Sequence, residues 1–294
     1  MLANEFLILG GNGFLGQYFA REIGERSNVH FSRETFGQPV QKVGRFQSPT
    51  ELKDFVRTVN CRTVINCIAL ANIDESEKNL GLANWLNVEI PGILADICNR
   101  TKKRLVHIST DAVFGDNGSW KTEKEIPNPI SVYGETKLAG EQLVLNSEGE
   151  NFVFRVNFYG SSKKTTSLFE FFYNALKNHE EVNGYSDIYF NPMYAQHTVQ
   201  IILKTLNQGP AGLYHAVGSE RITKYDFGLA VAAHFNLDSS LIRNVNMPQG
   251  SSIIRSKDLT LSNEKISSLG IDIPSLSQGL TALRKELRES TNEG

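Results

Sequence analysis

The chain has 294 residues, 40% of them hydrophobic and 21% charged, which is enough to bury a full core in one domain or two apposed lobes. Its 30 Lys plus Arg against 32 Asp plus Glu leave a net charge of −2, which argues against a nucleic-acid or membrane surface. Cys61, Cys67 and Cys98 form no CxxC pair and the six histidines lack ligand spacing, so reduced thiols, a cytoplasmic location and no His/Cys metal site are expected.

The N-terminus carries Glu5, has no basic segment, and its apolar run stops at Gly10. That is a first strand, Phe6–Leu9, and not a signal peptide. No apolar stretch approaches the ~20 residues that span a bilayer. A glycine turn leads to the helical pattern Phe14–Ile23, and Val29–Phe31 is a second apolar run. Thr50–Thr58 predicts a helix, Thr63–Ala69 a strand, Asn84–Asn99 a helix and Arg104–Ser109 a strand. After a loop rich in Gly, Asn and Pro come a helix over Val132–Leu145 and a strand over Phe152–Val156. This alternation implies βαβ units: an α/β, Rossmann-type doubly wound parallel sheet over 1–162. Past Gly160 the rhythm breaks. Ser167–Lys177, Ala195–Leu206 and Lys224–Phe235 read as helices, Tyr189–Pro192 and Gly212–Val217 as extended, and the tail Gln278–Glu289 is amphipathic. The expectation is a smaller, mixed C-terminal substrate lobe over 163–294, with 195–218 returning to the first domain.

Gly10, Gly13 and Gly16 lie between a strand and a helix, where glycines let backbone approach a pyrophosphate held at the helix N-terminus. A dinucleotide site with Phe14 and Leu15 in its turn is therefore expected. About 20 residues further on, where an acid would bind the 2′-hydroxyl of NAD, the chain has Ser32 and Arg33. A hydroxyl and a guanidinium suit a 2′-phosphate, so NADP(H) is the expected cofactor.

Three YxxxK motifs occur, at Tyr133/Lys137, Tyr159/Lys163 and Tyr173/Lys177. Tyr173 sits in an apolar helix and reads as core, and Tyr159 runs into Gly-Ser-Ser, where no helix would hold its lysine. Tyr133 opens a helix, so Lys137 falls on the same face one turn later. It also follows the strand that ends Ser109-Thr110-Asp111, at the edge of the sheet where α/β ligands bind. Delivering hydride to a ketone needs a proton donor for the forming alkoxide, and a phenol with pKa near ~10 needs its anion stabilised. Lys137 suits that task, and Thr110 suits orienting the carbonyl. His107, inside an apolar run, reads as a satisfied core residue.

Over Gly10–Gly16, Val64–Asp74 with Glu77, Asn87–Ala95, Leu105–Phe114, Asn128–Glu141, Arg155–Gly160 and, weakly, Arg255–Lys265, the chain resembles the extended short-chain dehydrogenase/reductases. Among them it is most similar to the dTDP-4-dehydrorhamnose reductases and related nucleotide-sugar 4-ketoreductases, most specifically over Ser109–Glu141. The resemblance implies Thr110, Tyr133 and Lys137 as catalytic residues, and Gly13, Phe14 and Leu15 along the pyrophosphate. It places Ile68, Ala69 and Leu70 beside the ribose and nicotinamide, and Asp111 and Phe158 at the sugar. Ala112 stands where the family has an aromatic, Phe158 where it has tryptophan, and Phe46-Gln47 where an aspartate is expected. Ala112 also lacks the acid of the 4,6-dehydratases, and Arg33 replaces the acid of the NAD-bound epimerases. The expected activity is NADPH-dependent reduction of the C4 ketone of a nucleoside-diphosphate 4-keto-6-deoxy sugar by a monomer or homodimer. Of the C-terminal cations Arg155, Lys163, Lys164, Arg221, Arg243 and Arg255, the last is the candidate for binding the diphosphate. The alternatives are a reductase of another carbonyl, or an NADP-binding regulatory subunit without turnover, as in the methionine adenosyltransferase relatives.

Overall fold

The computed structural model describes residues 5–30, 46, 48–116, 118–162, 167–248 and 256–292. The first apolar run forms β1 (Phe6–Leu9), followed by α1 (Phe14–Ile23) and β2 (Ser27–His30). Next comes α2 (Pro49–Thr58), whose Ser48 cap accepts from the Glu51 amide and whose proline sits where no helical N–H is needed. It leads to β3 (Thr63–Asn66). The helix expected over 84–99 is present, its backbone helical through every junction, but it starts earlier and contains one wider turn. α3 (Ile73–Lys78) and α4 (Leu80–Asn84) precede a π-type turn over Trp85–Glu89, and α5 (Ile90–Arg100) continues from it. Pro91, which has no N–H to give the ladder, lies just past that turn. β4 (Arg104–Thr110), α6 (Val132–Leu145) and β5 (Asn151–Val156) complete the first half.

The second half contains β6 (Phe158–Tyr159), α7 (Leu168–Lys177), β7 (Val182–Tyr185), β8 (Tyr189–Phe190) and β9 (Met193–Tyr194). α8 (Ala195–Gln208), β10 (Gly212–Ala216), β11 (Ile222–Thr223), α9 (Lys224–Phe235), β12 (Ile242–Val245), α10 (Glu264–Ser267) and α11 (Leu276–Asn292) follow. α7 and α9 each start with a reciprocal capping box, Ser167 with Glu170 and Thr223 with Asp226.

Six parallel strands form the main sheet in the order β10-β5-β4-β3-β1-β2. The remaining strands pair two by two, β11 with β8, β12 with β7 and β6 with β9. Side chains alternate across the sheet, so Leu7 and Leu9 enter one buried cluster with Val64, Leu94 and Leu105, while Ile8 enters the other with Phe19, Ile65 and Phe154. Both faces are covered, as a parallel sheet requires. The second cluster runs on without a break into Phe172, Phe190 and Phe227 of the later elements. After β2 the chain crosses back over β1 to form β3, so strand order reverses beside the carboxyl end of β1, the place where such sheets bind ligands. No helix among the described residues is long and apolar enough to cross a membrane.

Candidate active site

The turn after β1 is built around close backbone approach. Gly10 has φ of 78°, and its carbonyl accepts from the Gly13 amide at 2.8 Å. A Cβ on Gly16 would lie 2.2 Å from the Gly10 oxygen, so only glycine lets α1 start this near the strand. No side chain among the described residues caps α1, leaving a helix N-terminus of the kind that receives a phosphate. Phe14 stands edge-on to Phe158, ring centres 5.2 Å apart, so the turn and the start of the later elements share a wall.

The segment after β3 is strapped in place by two buried amides. Asn66 Oδ1 accepts from the Ile68 N–H at 3.1 Å. Asn87, in the π-type turn, accepts from the Leu70 N–H at 2.9 Å and donates to the Leu70 carbonyl and the Thr136 hydroxyl. The segment is thereby tied at Ile68 to β3 and at Leu70, through Asn87, to Thr136 of α6, the helix that carries Tyr133 and Lys137. A π-type turn within a helix commonly marks such a site.

At the carboxyl end of β4, Thr110 Oγ1 accepts from the Ala112 N–H and donates to Asp111 Oδ1 at 3.1 Å. Asn157 Nδ2 donates to the other Asp111 oxygen. Burial pushes the Asp111 carboxyl up to about 6, and its hydrogen bonds from Asn157 and Thr110 pull the other way. α6 begins directly against this turn. Ser131 accepts from the Gly134 N–H, and Glu77 accepts from the Val132 N–H. A Cβ on Gly134 would sit 2.3 Å from the Ala112 carbonyl, and one on Gly140 would sit 2.1 Å from that of Asn87. The helix therefore lies close to both segments and sets the Tyr133 hydroxyl beside Thr110.

Burial holds the Tyr133 phenol up at about 12, opposed by the Thr110 hydrogen bond and reinforced by the Asp111 charge. This is opposite in direction to the lowering expected from a neighbouring ammonium. Lys137, 1% exposed, donates to the Ile108 carbonyl at 2.7 Å and meets His107 Nε2 at 3.4 Å. Burial brings Lys137 down to about 8, and the Glu141 charge works against that shift.

Arg155 is no candidate for binding a diphosphate, because it is spent inside the core. It lies 2% exposed, donates to both oxygens of Glu141 at 2.8–3.2 Å, and sits over the Phe114 ring. Glu141 also accepts from Ser109, so α6, β4 and β5 are joined one turn beyond Lys137. Arg221 is paired with Asp258 over the Tyr189 ring, and the exposed Arg243 is paired with Glu181. Tyr159 is buried with its hydroxyl on the Leu276 carbonyl, and Tyr173 packs beside Phe169 on α7. Ser32, Arg33, Arg255, Lys163 and Lys164 lie outside the described residues. Sequence reasoning passed over Asn66, Asn87 and Asn157. Their signal was an amide ending an apolar strand, or set on the apolar face of a helix, where burial demands partners.

A Rossmann-type sheet with a glycine turn at its switch point and a Thr-Tyr-Lys set at the next strand ends defines the class: an NAD(P)-dependent short-chain dehydrogenase/reductase of the extended kind. The chain belongs to the RmlD substrate binding domain family, which it matches over residues 4–289. It is 28% identical over 289 residues to a probable low-salt glycan biosynthesis reductase of Haloferax volcanii, covering 94% of this chain and 96% of that one. It is also 28% identical over 275 residues to methionine adenosyltransferase 2 subunit beta of Rattus norvegicus, covering 90% and 82%. Its fold superimposes, with a TM-score of 0.85 and 24% identity, on the dTDP-4-dehydrorhamnose reductase of Bacillus anthracis in complex with NADP, over 96% of this chain and 99% of that one.

Proposed function

We propose that the chain reduces the C4 keto group of a nucleoside-diphosphate 4-keto-6-deoxy sugar with NADPH. The observation that carries this reading is the meeting of Thr110, Tyr133 and Lys137 at the carboxyl end of β4. The strap over Ile68–Leu70 lies close by, and it touches Gly10. The residues present fit NADP(H), because the glycines let α1 start against the Gly10 carbonyl with no described side chain capping its N-terminus, the arrangement that receives a pyrophosphate. Phe14 and Leu15 would lie along that pyrophosphate, Ser32 and Arg33 would take the 2′-phosphate, and Ile68, Ala69 and Leu70 would back the ribose and nicotinamide. NADPH, when bound, supplies the hydride.

The protein's own groups manage the oxygen. Thr110 Oγ1, now donating to Asp111, turns its hydrogen bond to the substrate carbonyl and orients it. Tyr133 gives its hydroxyl proton to the alkoxide forming at C4; burial keeps the phenol protonated until then, and the phenolate left behind needs the nearby cation that Lys137 suits. Asp111 and Phe158 line the sugar, and Arg255 receives the diphosphate. The solved NADP complex of the Bacillus reductase supports the cofactor, and the Haloferax reductase supports a sugar-linked substrate.

A second reading is favoured by the similarity to methionine adenosyltransferase 2 subunit beta: an NADP-binding regulatory subunit without turnover. The two part in one experiment. NADPH absorbance is followed while 4-keto-6-deoxy sugar nucleotides with different bases are added, with Tyr133→Phe as control. Consumption lost in the variant by roughly 100-fold or more supports the reductase. Tight NADPH binding with no consumption overturns it in favour of the regulatory role.

A further inference from the structure

Phe158 is half-buried and meets Phe14 at the glycine turn, so the place of its ring sets the gap between that turn and the sugar site. The next three residues, Tyr159, Gly160 and Ser161, are each held by a contact that leads to the last helix, α11. Tyr159 is buried, and its hydroxyl donates to the Leu276 carbonyl at the start of α11. A Cβ on Gly279, one turn further on, would sit 2.2 Å from that hydroxyl, so helix and ring meet with nothing between them. Gly160 lies against the Tyr18 hydroxyl of α1, which would be 2.7 Å from a Cβ there. The same hydroxyl accepts from the Ser161 N–H and faces the Ser161 carbonyl, both at 3.1 Å. Its single proton goes to that carbonyl or to Glu286 Oε2 of α11, 3.4 Å away. Glu286 also accepts from Tyr194, whose strand β9 pairs with β6, and from Arg21 of α1 at 2.6 Å. Burial and the neighbouring Glu286 hold the Tyr18 and Tyr194 phenols above their ordinary range, so both stay protonated. From Leu276 to Glu286 is roughly 15 Å along a helix axis. α11 therefore grips the segment after Phe158 at two separate points.

We propose that α11 is the strut of the substrate pocket: Tyr159, Tyr18 and Glu286 are positioning residues that hold Phe158 at its distance from the glycine turn, and so set the affinity for the sugar nucleotide and not that for NADPH. The inference rests on the reductase reading, in which Phe158 lines the sugar. A ring left free to shift must be ordered when the sugar binds, and that cost falls on substrate affinity. The reacting groups stand elsewhere, on β4 and α6, and α1 is seated on β1 by Gly16 against Gly10. Turnover of bound substrate and NADPH affinity are thus decided away from α11. The second Tyr-x-x-x-Lys motif also finds its task, since the Tyr159 phenol is spent on the backbone of α11 and not on a substrate.

The test separates the two sites. Tyr159→Phe and Tyr18→Phe each keep a ring and lose one hydroxyl, and Glu286→Ala removes the carboxylate. With the sugar nucleotide that the wild type reduces, KM should rise by at least about threefold in each variant, the worth of one net hydrogen bond. kcat and the NADPH dissociation constant, from fluorescence titration, should stay within about twofold of the wild type. A helix that only stabilises the fold would lower the melting temperature in all three and leave KM where it was. An unmoved KM, or an NADPH constant that rises as far as KM, overturns the proposal. Phe158 itself is read without turnover, in NADPH-bound protein labelled with 4-fluorophenylalanine, its 19F signal assigned with Phe158→Leu. Glu286→Ala should shift or broaden that signal, and an unchanged signal overturns the proposal. If no sugar nucleotide drives NADPH oxidation, the substrate reading fails while the 19F signal still decides whether α11 holds Phe158.

Discussion

Replacing Arg155 with Met isolates one interaction that holds the site together. The guanidinium makes three contacts of 2.8–3.2 Å with Glu141 and one of 3.3 Å with His215, and its side chain is 3% exposed against 1% for Glu141. Methionine fills the space but leaves the Glu141 carboxylate buried with, among the described residues, the Ser109 hydroxyl alone to donate to it. Removing one partner of a buried ion pair costs about 3–5 kcal/mol. With a urea slope of roughly 3 kcal/mol/M, the unfolding midpoint should fall by about 1–2 M. Tryptophan fluorescence from Trp85 and Trp120 follows the transition, and far-UV circular dichroism checks that both probes coincide. Adding Glu141→Leu removes the orphaned charge, so the double variant should regain most of the loss, since an apolar replacement of the whole pair is often neutral. The reasoning fails if Arg155→Met costs less than about 1 kcal/mol, or if the double variant is no more stable than the single one.

Gly16→Ala places a methyl 2.2 Å from the Gly10 carbonyl, so NADPH affinity measured by fluorescence titration should drop by at least about tenfold, the equivalent of roughly 1.4 kcal/mol. Asp111 titrates at 3.8 when free and at about 6 in the fold, so the native state holds the proton more tightly. Stability should therefore decrease as pH rises through that window and level off above it, and Asp111→Asn should remove this slope in urea titrations run between the two values. Arg33→Asp exchanges a 2′-phosphate partner for a 2′-hydroxyl partner, and the ratio of NADPH to NADH affinity should fall at least about tenfold; an unchanged ratio would place the discriminating residue elsewhere.

The main sheet was legible because its strands are short apolar runs bounded by glycine turns and polar helix starts, as at Phe6–Leu9 and Arg104–Thr110. β7 and β12 were not, since Val-Asn-Gly-Tyr and Ile-Arg-Asn-Val are short and weakly apolar, and they pair with each other across nearly 60 residues of sequence while packing on α9. α3 is a polar helix started by its Asn72 cap and packed on α6, so periodicity had little to detect. In the site, the Tyr133–Lys137 pair could be chosen because a helix start is readable in sequence. Nothing local marks Arg155 as a buried cation, because the glutamate that neutralises it stands 14 residues earlier on another element, a distance that local patterns do not span. Asn66 and Asn87 were passed over for the same reason: each acts through backbone or side chains brought near only by the folded sheet.

The close seating of α6 also bears on how such sites are found in genomes. Tyrosine and lysine four apart occur three times in this chain, so the pair alone is a poor search term. The helix that carries the Tyr133 pair has glycine at 134 and 140 because two carbonyls, of Ala112 and Asn87, occupy the space a side chain would need. A pattern that demands glycine one and seven places after the tyrosine selects Tyr133 and rejects Tyr159, which has Thr166, and Tyr173, which has Asn174. What separates the proposed catalytic tyrosine from its look-alikes is thus carried by the two residues of the stretch that have no side chain.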